Sequence, residues 1–375
     1  MHRVLVLGAG KIGRMIARFL MDSGDYDVLV GDVSEPALDR IASMTGAKVR
    51  RVDATSGTDL AAALEGRDTV MSALSFHHNP VVARAALTNG ASYFDLTEDV
   101  ATSDAVASIA ESSADGQIFM PQCGLAPGFI SIVANDLINW FDKIETVKMR
   151  VGALPQFPTG ELKYNLTWST DGLINEYCNP CEAIHGGRKM DLLPLEGLEH
   201  FSLDGVRYEA FNTSGGLGTL CDTLAGKVRE LNYKTVRYVG HRDLMKMMID
   251  ELQMGQYRDQ FKEILERAVP ITFQDVVVTF CTVTGWRKGL LVQKSDARKI
   301  YHQKIGEELW SAIQITTAAG ICAVLDLHVA GKLRPKGLAK QEDVTMEAFL
   351  GNRFGQYYES QMATKFSAGV LGEED

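Results

Sequence analysis

Gly8-Ala9-Gly10-Lys11-Ile12-Gly13 follows the apolar run Val4-Leu5-Val6-Leu7, and Asp32 closes the next apolar run, Val28-Leu29-Val30, 19 residues past Gly13. Glycines at these three positions suit a strand-to-helix turn that receives a pyrophosphate. Gly8 permits the tight turn, Gly10 lets the backbone approach the phosphates, and Gly13 lets the helix pack closely on the strand. The phosphates would sit on the helix N-terminus, where unpaired N–H groups and the positive end of the dipole favour an anion. A carboxylate at position 32 accepts hydrogen bonds from a ribose 2′-OH and repels a 2′-phosphate, and Val33 beside it brings no arginine. The pattern therefore implies a dinucleotide site with NAD preferred over NADP. Asp32 could also open a turn or helix with Ser34-Glu35-Pro36, and the two roles are compatible.

The elements that must position this loop alternate between strand and helix. Lys11 to Ser23 carries Ile12, Ile16, Phe19 and Leu20 at helical spacing, with Gly24 placed to end the helix. Strands are predicted at Lys48–Val52, Thr69–Leu74, Tyr93–Asp95 and Ile118–Met120, with helical segments near Asp59–Leu64, Pro80–Asn89 and Ala101–Ser113. Six strands with helical crossovers make a doubly wound parallel sheet, whose ligands bind outside the carboxyl ends of its strands. The expected cofactor contacts are therefore Gly8, Gly10, Lys11, Ile12 and Gly13 in the loop, Asp32 and Asp53, and Ala73, Leu74 and Asp95 after later strands.

Beyond Gly128 the texture changes to alternating strands at Glu145–Val151, Lys163–Trp168, Val206–Phe211 and Asp275–Thr284, with few helices between. Lys299 to Ala330 reads as helix, broken by Gly331-Lys332-Leu333-Arg334-Pro335. The fold class expected is α/β: an N-terminal Rossmann sheet (1–124), a mixed α+β substrate and oligomerisation domain (125–300), and a C-terminal helical segment (301–375) packing back on the first. The tail Gly372-Glu373-Glu374-Asp375 reads as frayed.

A length of 375 residues, 46% hydrophobic, supports two cores. The net charge of −10 with no basic block argues against nucleic acid or an anionic membrane surface as partner. The chain enters its first strand within three residues, so no export is expected, and six scattered cysteines fit a reducing cytoplasm. The longest apolar stretch, Ala318 to Leu325, is short and reads as a buried helix. Cys178-Asn179-Pro180-Cys181 with His185 invites a zinc site, but no fourth ligand at fitting spacing appears, and no metal is expected. His77-His78 reads as a cofactor-loop contact.

Three further segments carry a resemblance: Cys123-Gly124-Leu125-Ala126-Pro127-Gly128, Asn165-Leu166-Thr167-Trp168-Ser169, and Lys234-Thr235-Val236-Arg237-Tyr238-Val239-Gly240-His241. Together with the fingerprint they resemble the saccharopine dehydrogenase and lysine 6-dehydrogenase family over most of the chain. Val239 stands where the family usually has proline. The resemblance implies oxidation of an amino-acid amine by hydride transfer to NAD. Saccharopine-forming members resemble one another in a Y-P-N-R-D-S stretch whose arginine helps bind a second amino-acid carboxylate. The comparable Glu209-Ala210-Phe211-Asn212-Thr213-Ser214-Gly215-Gly216 has no arginine, which favours L-lysine, oxidised at its ε-carbon, over saccharopine.

Such chemistry asks for a base with pKa near working pH, a cation for the α-carboxylate, and walls that orient the chain. His241 is the candidate base, with a structural helix cap as its alternative. Arg237, on the strand face opposite Tyr238, is the candidate carboxylate clamp, with Lys234 beside it. Cys123 lies at the crevice mouth, as a catalytic candidate or a small packing residue under the nicotinamide. Asp95 or Glu98 could hold the substrate ammonium, and Trp168 could wall the pocket or fill the core. The partner expected is a small amino acid, and exposed strand edges suggest a homodimer or higher homo-oligomer. A non-catalytic NAD-binding redox sensor on the same fold is the alternative from another class.

Overall fold

The apolar runs that open the chain become the centre of a parallel sheet. In the computed structural model, which describes residues 1–359, the first half runs β1 (His2–Leu7), α1 (Lys11–Ser23), β2 (Tyr26–Asp32), α2 (Glu35–Thr45), β3 (Lys48–Arg51), α3 (Gly57–Leu64), β4 (Thr69–Ser72), α4 (Asn79–Asn89), β5 (Ser92–Asp95), α5 (Val100–Ala110), β6 (Ile118–Met120) and α6 (Phe129–Ile138). Val4, Leu5 and Val6 are wholly buried, as continuous apolar strands must be when helices cover both faces of a sheet. Gly24 caps α1 in the left-handed conformation that L side chains disfavour.

The second half runs β7 (Lys143–Pro155), α7 (Thr170–Cys178), β8 (Cys181–His185), β9 (Arg188–Leu192), β10 (Glu199–Leu203), β11 (Val206–Asn212), α8 (Leu220–Leu224), β12 (Glu230–Tyr238), α9 (His241–Lys246) and α10 (Arg258–Ala268). It continues with β13 (Asp275–Arg287), β14 (Leu290–Tyr301), β15 (Gln303–Ile305), β16 (Glu308–Trp310), α11 (Ala312–Val329), β17 (Gly337–Leu338) and α12 (Met346–Leu350). The parallel sheet has the order β17-β6-β5-β4-β1-β2-β3, so the winding reverses between β1 and β4. The other large sheet has the order β10-β11-β12-β7-β13-β14, with β8 attached at β12 and β9 paired to β8; β12 and β7 are parallel and the other pairs antiparallel.

Two compact units result, and neither is one contiguous stretch. The first comprises Met1–Asp136, Ser214–Ala225 and Thr317–Gly355; the second comprises Leu137–Thr213, Gly226–Thr316 and residues 356–359. This division cuts across the segments 1–124, 125–300 and 301–375 drawn from sequence texture. Composition tracks local pattern, whereas chain re-entry is a tertiary event. The expectation for the tail Gly372–Asp375 lies outside the described residues.

Three local readings change. Lys163–Trp168 is no regular strand: apart from one bridge between Leu166 and Ile271 it is irregular, and Tyr164 and Leu166 are held by the core instead of a ladder. The helix read from Lys299 starts at Ala312, because residues up to Tyr301 complete the β13–β14 ladder. There Asp275 accepts hydrogen bonds from the Ala312 and Ile313 N–H groups and so caps α11. The parallel sheet gains a seventh strand, β17, from the C-terminal segment. From Thr317 on, α11 belongs to the first unit, where its Asp326 accepts from Tyr26 and its His328 meets Ser92. This helix is long and apolar enough to cross a membrane, but 78% of it is buried inside the protein, as in a core helix.

Candidate functional site

The fingerprint loop has the shape that a pyrophosphate needs. Gly8 has φ +102°, and a Cβ there would meet the Ala73 carbonyl oxygen at 2.7 Å, so the turn after β1 lies directly on the turn after β4. A Cβ on Gly13 would sit 1.8 Å from the Gly8 carbonyl oxygen. A Cβ on Gly10 would meet nothing within 4 Å, which leaves that backbone open to a ligand. Ala73 donates its N–H to Leu7, and Leu74 touches the Gly8 position, so both stand beside the loop at the reversal point of the sheet. The Asp32 carboxylate accepts from the Ala9 N–H at 2.6 Å and from the Ser34 N–H at 2.8 Å, and thereby ties the end of β2 to the glycine loop. The bond from Ser34 matches the reading of Asp32 as a residue that opens a turn. These residues fit a dinucleotide, whose diphosphate would lie over Gly10 through Gly13.

Further along the same sheet, the expected contacts diverge. Asp53 is half-buried after β3 and binds the Thr55 N–H and hydroxyl, and these bonds hold its carboxyl below the usual range. Asp95 is wholly buried and its carboxylate is spent inside the protein, on Thr97 N–H, Gln122 N–H and Tyr93 O–H. It joins β5 to the turn after β6 and presents no oxygen to a cofactor or an ammonium; burial raises its pKa. Cys123 is likewise buried, with its Sγ on the Met120 carbonyl and burial raising the thiol well above its ordinary pKa. That environment is one of packing, since nucleophilic thiols need the thiolate. Glu98 is half-buried three residues past β5. The segment Ser214–Ala225, remote in sequence, returns here. A Cβ on Gly215 would lie 2.3 Å from the Glu98 carbonyl oxygen, and one on Gly218 would lie 3.3 Å from the Gln122 side-chain oxygen.

In the second unit, strand alternation sends Arg237 and Tyr238 to opposite faces, as expected. Tyr238 joins a cluster with Tyr208 and Val236. Arg237 is 3% exposed, donates from Nε to the Tyr177 hydroxyl at 2.8 Å and from Nη1 to the Val236 carbonyl, and lies 5.1 Å from the Tyr164 ring centre. Tyr177, Tyr164 and Glu176 offset the burial that would weaken its charge. His241 opens α9 and is also buried; its Nδ1 meets the Leu162 carbonyl at 2.8 Å and its Nε2 the Tyr177 hydroxyl at 3.1 Å. Burial, then the Arg237 charge, pushes its pKa down to about 3. The imidazole is therefore neutral and fully engaged, unlike the base expected to titrate near neutrality. Lys234, three residues before Arg237, falls on the other face, paired with Glu199 and the Gly197 carbonyl. The two cations do not share a site. Trp168 packs against the core that holds Tyr164 and Tyr177.

The same unit buries polar atoms without protein partners, among them Asn165 Oδ1, Thr167 Oγ1 and Thr213 Oγ1, in residues no more than 6% exposed. Two of them lie in the Asn165–Ser169 segment singled out from sequence. Tyr164, Tyr177 and Glu176 were not singled out; a tyrosine alone carries no positional signal, and only the buried arginine reveals them. Cys178 closes α7 against the core, Cys181 is buried, and His185 is exposed and meets Glu230. Among the described residues no three His, Cys, Asp or Glu side chains gather as metal ligands.

A doubly wound sheet with this loop at its reversal point defines a dinucleotide-binding protein. Residues 4–120 match the family described as the saccharopine dehydrogenase NADP binding domain, and residues 124–353 match the saccharopine dehydrogenase C-terminal domain. Saccharopine dehydrogenase [NADP(+), L-glutamate-forming] of Saccharomyces cerevisiae is 22% identical over 313 residues, covering 79% of this chain and 67% of the relative. The structure of the apo yeast saccharopine dehydrogenase (L-Glu forming) superposes with a TM-score of 0.76 at 16% identity, covering 98% of both chains, and so shares the fold. The chain belongs to the saccharopine dehydrogenase family.

Proposed function

We propose that this protein oxidises an amino-acid amine with NAD as acceptor, and that L-lysine, oxidised at its ε-carbon, is its first substrate. The observation that carries the amino-acid part is the buried Arg237 guanidinium in a unit that also buries the unpartnered oxygens of Asn165, Thr167 and Thr213. Each unpartnered buried polar atom costs about 1–3 kcal/mol, which a ligand can relieve. An α-amino acid supplies what these groups lack, a carboxylate for the guanidinium and an ammonium for the oxygens.

The preference for lysine rests on residues 209–216. Glu209 is spent on the Gly240 and Arg242 N–H groups and Asn212 on the Leu193 carbonyl, and no arginine stands there for further carboxylates. Bound NAD would take hydride from the amine-bearing carbon, leaving an imine for water to hydrolyse. The ammonium must first lose a proton. We assign its acceptor to a bound water, since neutral His241 already donates or accepts at both ring nitrogens. His241 then acts as a positioning residue that holds Tyr177 against Arg237.

A second reading of the cofactor has its own support. Arg51 stands opposite Asp32 in the β2–β3 register, hence on the same face, where a cation could meet a 2′-phosphate, and the matching family is described as NADP binding. Saccharopine, the substrate in the yeast relative's name, is the second substrate. The test is a reduced-nucleotide absorbance screen over lysine, ornithine, saccharopine and polyamines with NAD and NADP side by side. Lysine with NAD should turn over fastest. Saccharopine exceeding lysine at neutral pH would reverse the substrate ranking, and equal kcat/KM for both nucleotides would remove the cofactor assignment. Tight nucleotide binding without turnover of any amine would leave a redox sensor.

A further inference from the structure

The excursion Ser214–Ala225 leaves the second unit's chain and is built into the first. Its apolar side chains account for the attachment: Leu217, Leu220, Cys221 and Leu224 are at most 4% exposed. Its glycines account for the place. Gly215, at φ +84°, lies so close to the Glu98 carbonyl that no side chain fits, and Gly218 lies against Gln122, Pro127 and Ser131. Glu98 follows β5 and Gln122 follows β6, so the Ser214–Gly218 backbone stands at the carboxyl ends of two neighbouring strands, the edge of a doubly wound sheet on which ligands bind.

A second segment holds this loop in place. The turn Gln341–Asp343 uses neighbouring side chains in two directions. Gln341 donates from Nε2 to the Pro121 carbonyl, in the turn after β6. Glu342 accepts the Thr219 hydroxyl at 2.9 and 2.7 Å and the Thr223 hydroxyl at 2.9 Å, and its carbonyl accepts from Asn135 at 3.0 Å. A half-buried carboxylate that meets two hydroxyls of one short helix fixes both the position and the rotation of that helix. Hydrogen bonds to a charged acceptor are about twice as strong as neutral ones.

We propose that Ser214–Gly218 forms a wall of the ligand crevice in the dinucleotide-binding unit, and that Glu342, by pinning Thr219 and Thr223, is the positioning residue that seats this wall on Glu98. The activity part rests on the amine dehydrogenase reading. Glu342 touches no reacting atom; it acts through the loop. Freeing the loop displaces Glu98 and leaves the glycine fingerprint, on the other side of the reversal point, untouched.

The test compares Glu342→Ala, Glu342→Gln and Thr219→Val with the full-length parent. Three quantities are read: KM and kcat for lysine, NADH affinity by its fluorescence, and hydrogen–deuterium exchange of residues 214–224. In Glu342→Ala the exchange should quicken and KM should rise about tenfold, with NADH affinity changed by less than about twofold. Glu342→Gln keeps an amide oxygen that accepts both hydroxyls, so KM should return to within about threefold of the parent. Thr219→Val removes one hydroxyl at constant shape and gives an intermediate effect, even where Glu342→Ala fails to fold. Unchanged exchange would overturn the pin. Quickened exchange with unchanged KM would overturn the wall, as would an equal loss of NADH affinity. If the parent turns over no amine, the dehydrogenase reading fails. The wall then stands or falls on whether NADH with lysine protects residues 214–224 in the parent and not in Glu342→Ala.

Discussion

The glycine loop of the first unit, open at Gly10, and the buried arginine cluster of the second are both polar constructions, but they are assembled in opposite ways. The loop is six consecutive residues, Gly8 to Gly13, and its shape follows from which positions can carry a Cβ. The cluster draws Leu162 and Tyr164 from a turn, Tyr177 from α7, Arg237 from β12 and His241 from α9. In the loop the backbone donors are the functional groups, so a spacing rule suffices. In the cluster the side chains are the functional groups, and each is oriented by another. The difference predicts that damage in the loop is steric and local, whereas damage in the cluster is electrostatic and spreads through the hydrogen-bond chain Arg237–Tyr177–His241.

The harshest way to break the loop is Gly13→Ala. Its methyl would occupy the space of the Gly8 carbonyl oxygen, 1.8 Å away, and backbone cannot yield cheaply. A loss of about 4 kcal/mol in unfolding free energy is expected, together with loss of NADH fluorescence enhancement. A variant with parental Tm and affinity would show that the loop is not held as described. In the cluster, Arg237→Met removes a charge that neighbouring Tyr177 and Glu176 are arranged around, and about 3 kcal/mol of stability should go with it by denaturant titration. Arg237→Lys should keep more of the fold and raise KM for lysine while sparing NADH affinity, since a point charge cannot reproduce the planar fork. A parallel rise for nucleotide and amine would break the separation of the two regions.

The smallest effect is the most diagnostic. Folded His241 stays neutral down to about pH 3, whereas the same side chain in the unfolded chain protonates near 6.5. Between those values the unfolded state binds the extra proton, so the contribution of His241 is full above pH 6.5 and is lost as pH falls toward 3. His241→Gln should therefore flatten the fall in Tm between pH 6 and pH 4, and should leave the acidic limb of the pH–rate profile in place. Loss of that limb with an unchanged Tm profile would restore His241 as the catalytic base.

Reading the sequence recovered the parallel sheet because a strand buried on both faces is a continuous apolar run, as in β1, β2 and β6, and the shorter β4 and β5 fall between helical segments. It misread Lys299–Ser311 because β14 alternates between solvent and sheet only in the company of β13, and a strand's partner is not written beside it. The same limit governs the site. Arg237 and Lys234 look like one cationic patch until the pleat sends them to opposite faces. Asp95 looks like a free acid until Tyr93, Thr97 and Gln122 consume its oxygens.

By itself the sequence determined the glycine turn, the acid that closes β2, the winding of the first sheet and the family, because each depends on steric permission or periodicity within a few residues. Tertiary structure alone decided that His241 is neutral, that Asp95 and Cys123 are interior, and that residues 214–225 belong with the first unit. Burial and hydrogen-bond partnership are properties of what surrounds a residue, and here the surroundings come from distant segments, as Gln341 lies 218 positions from Cys123.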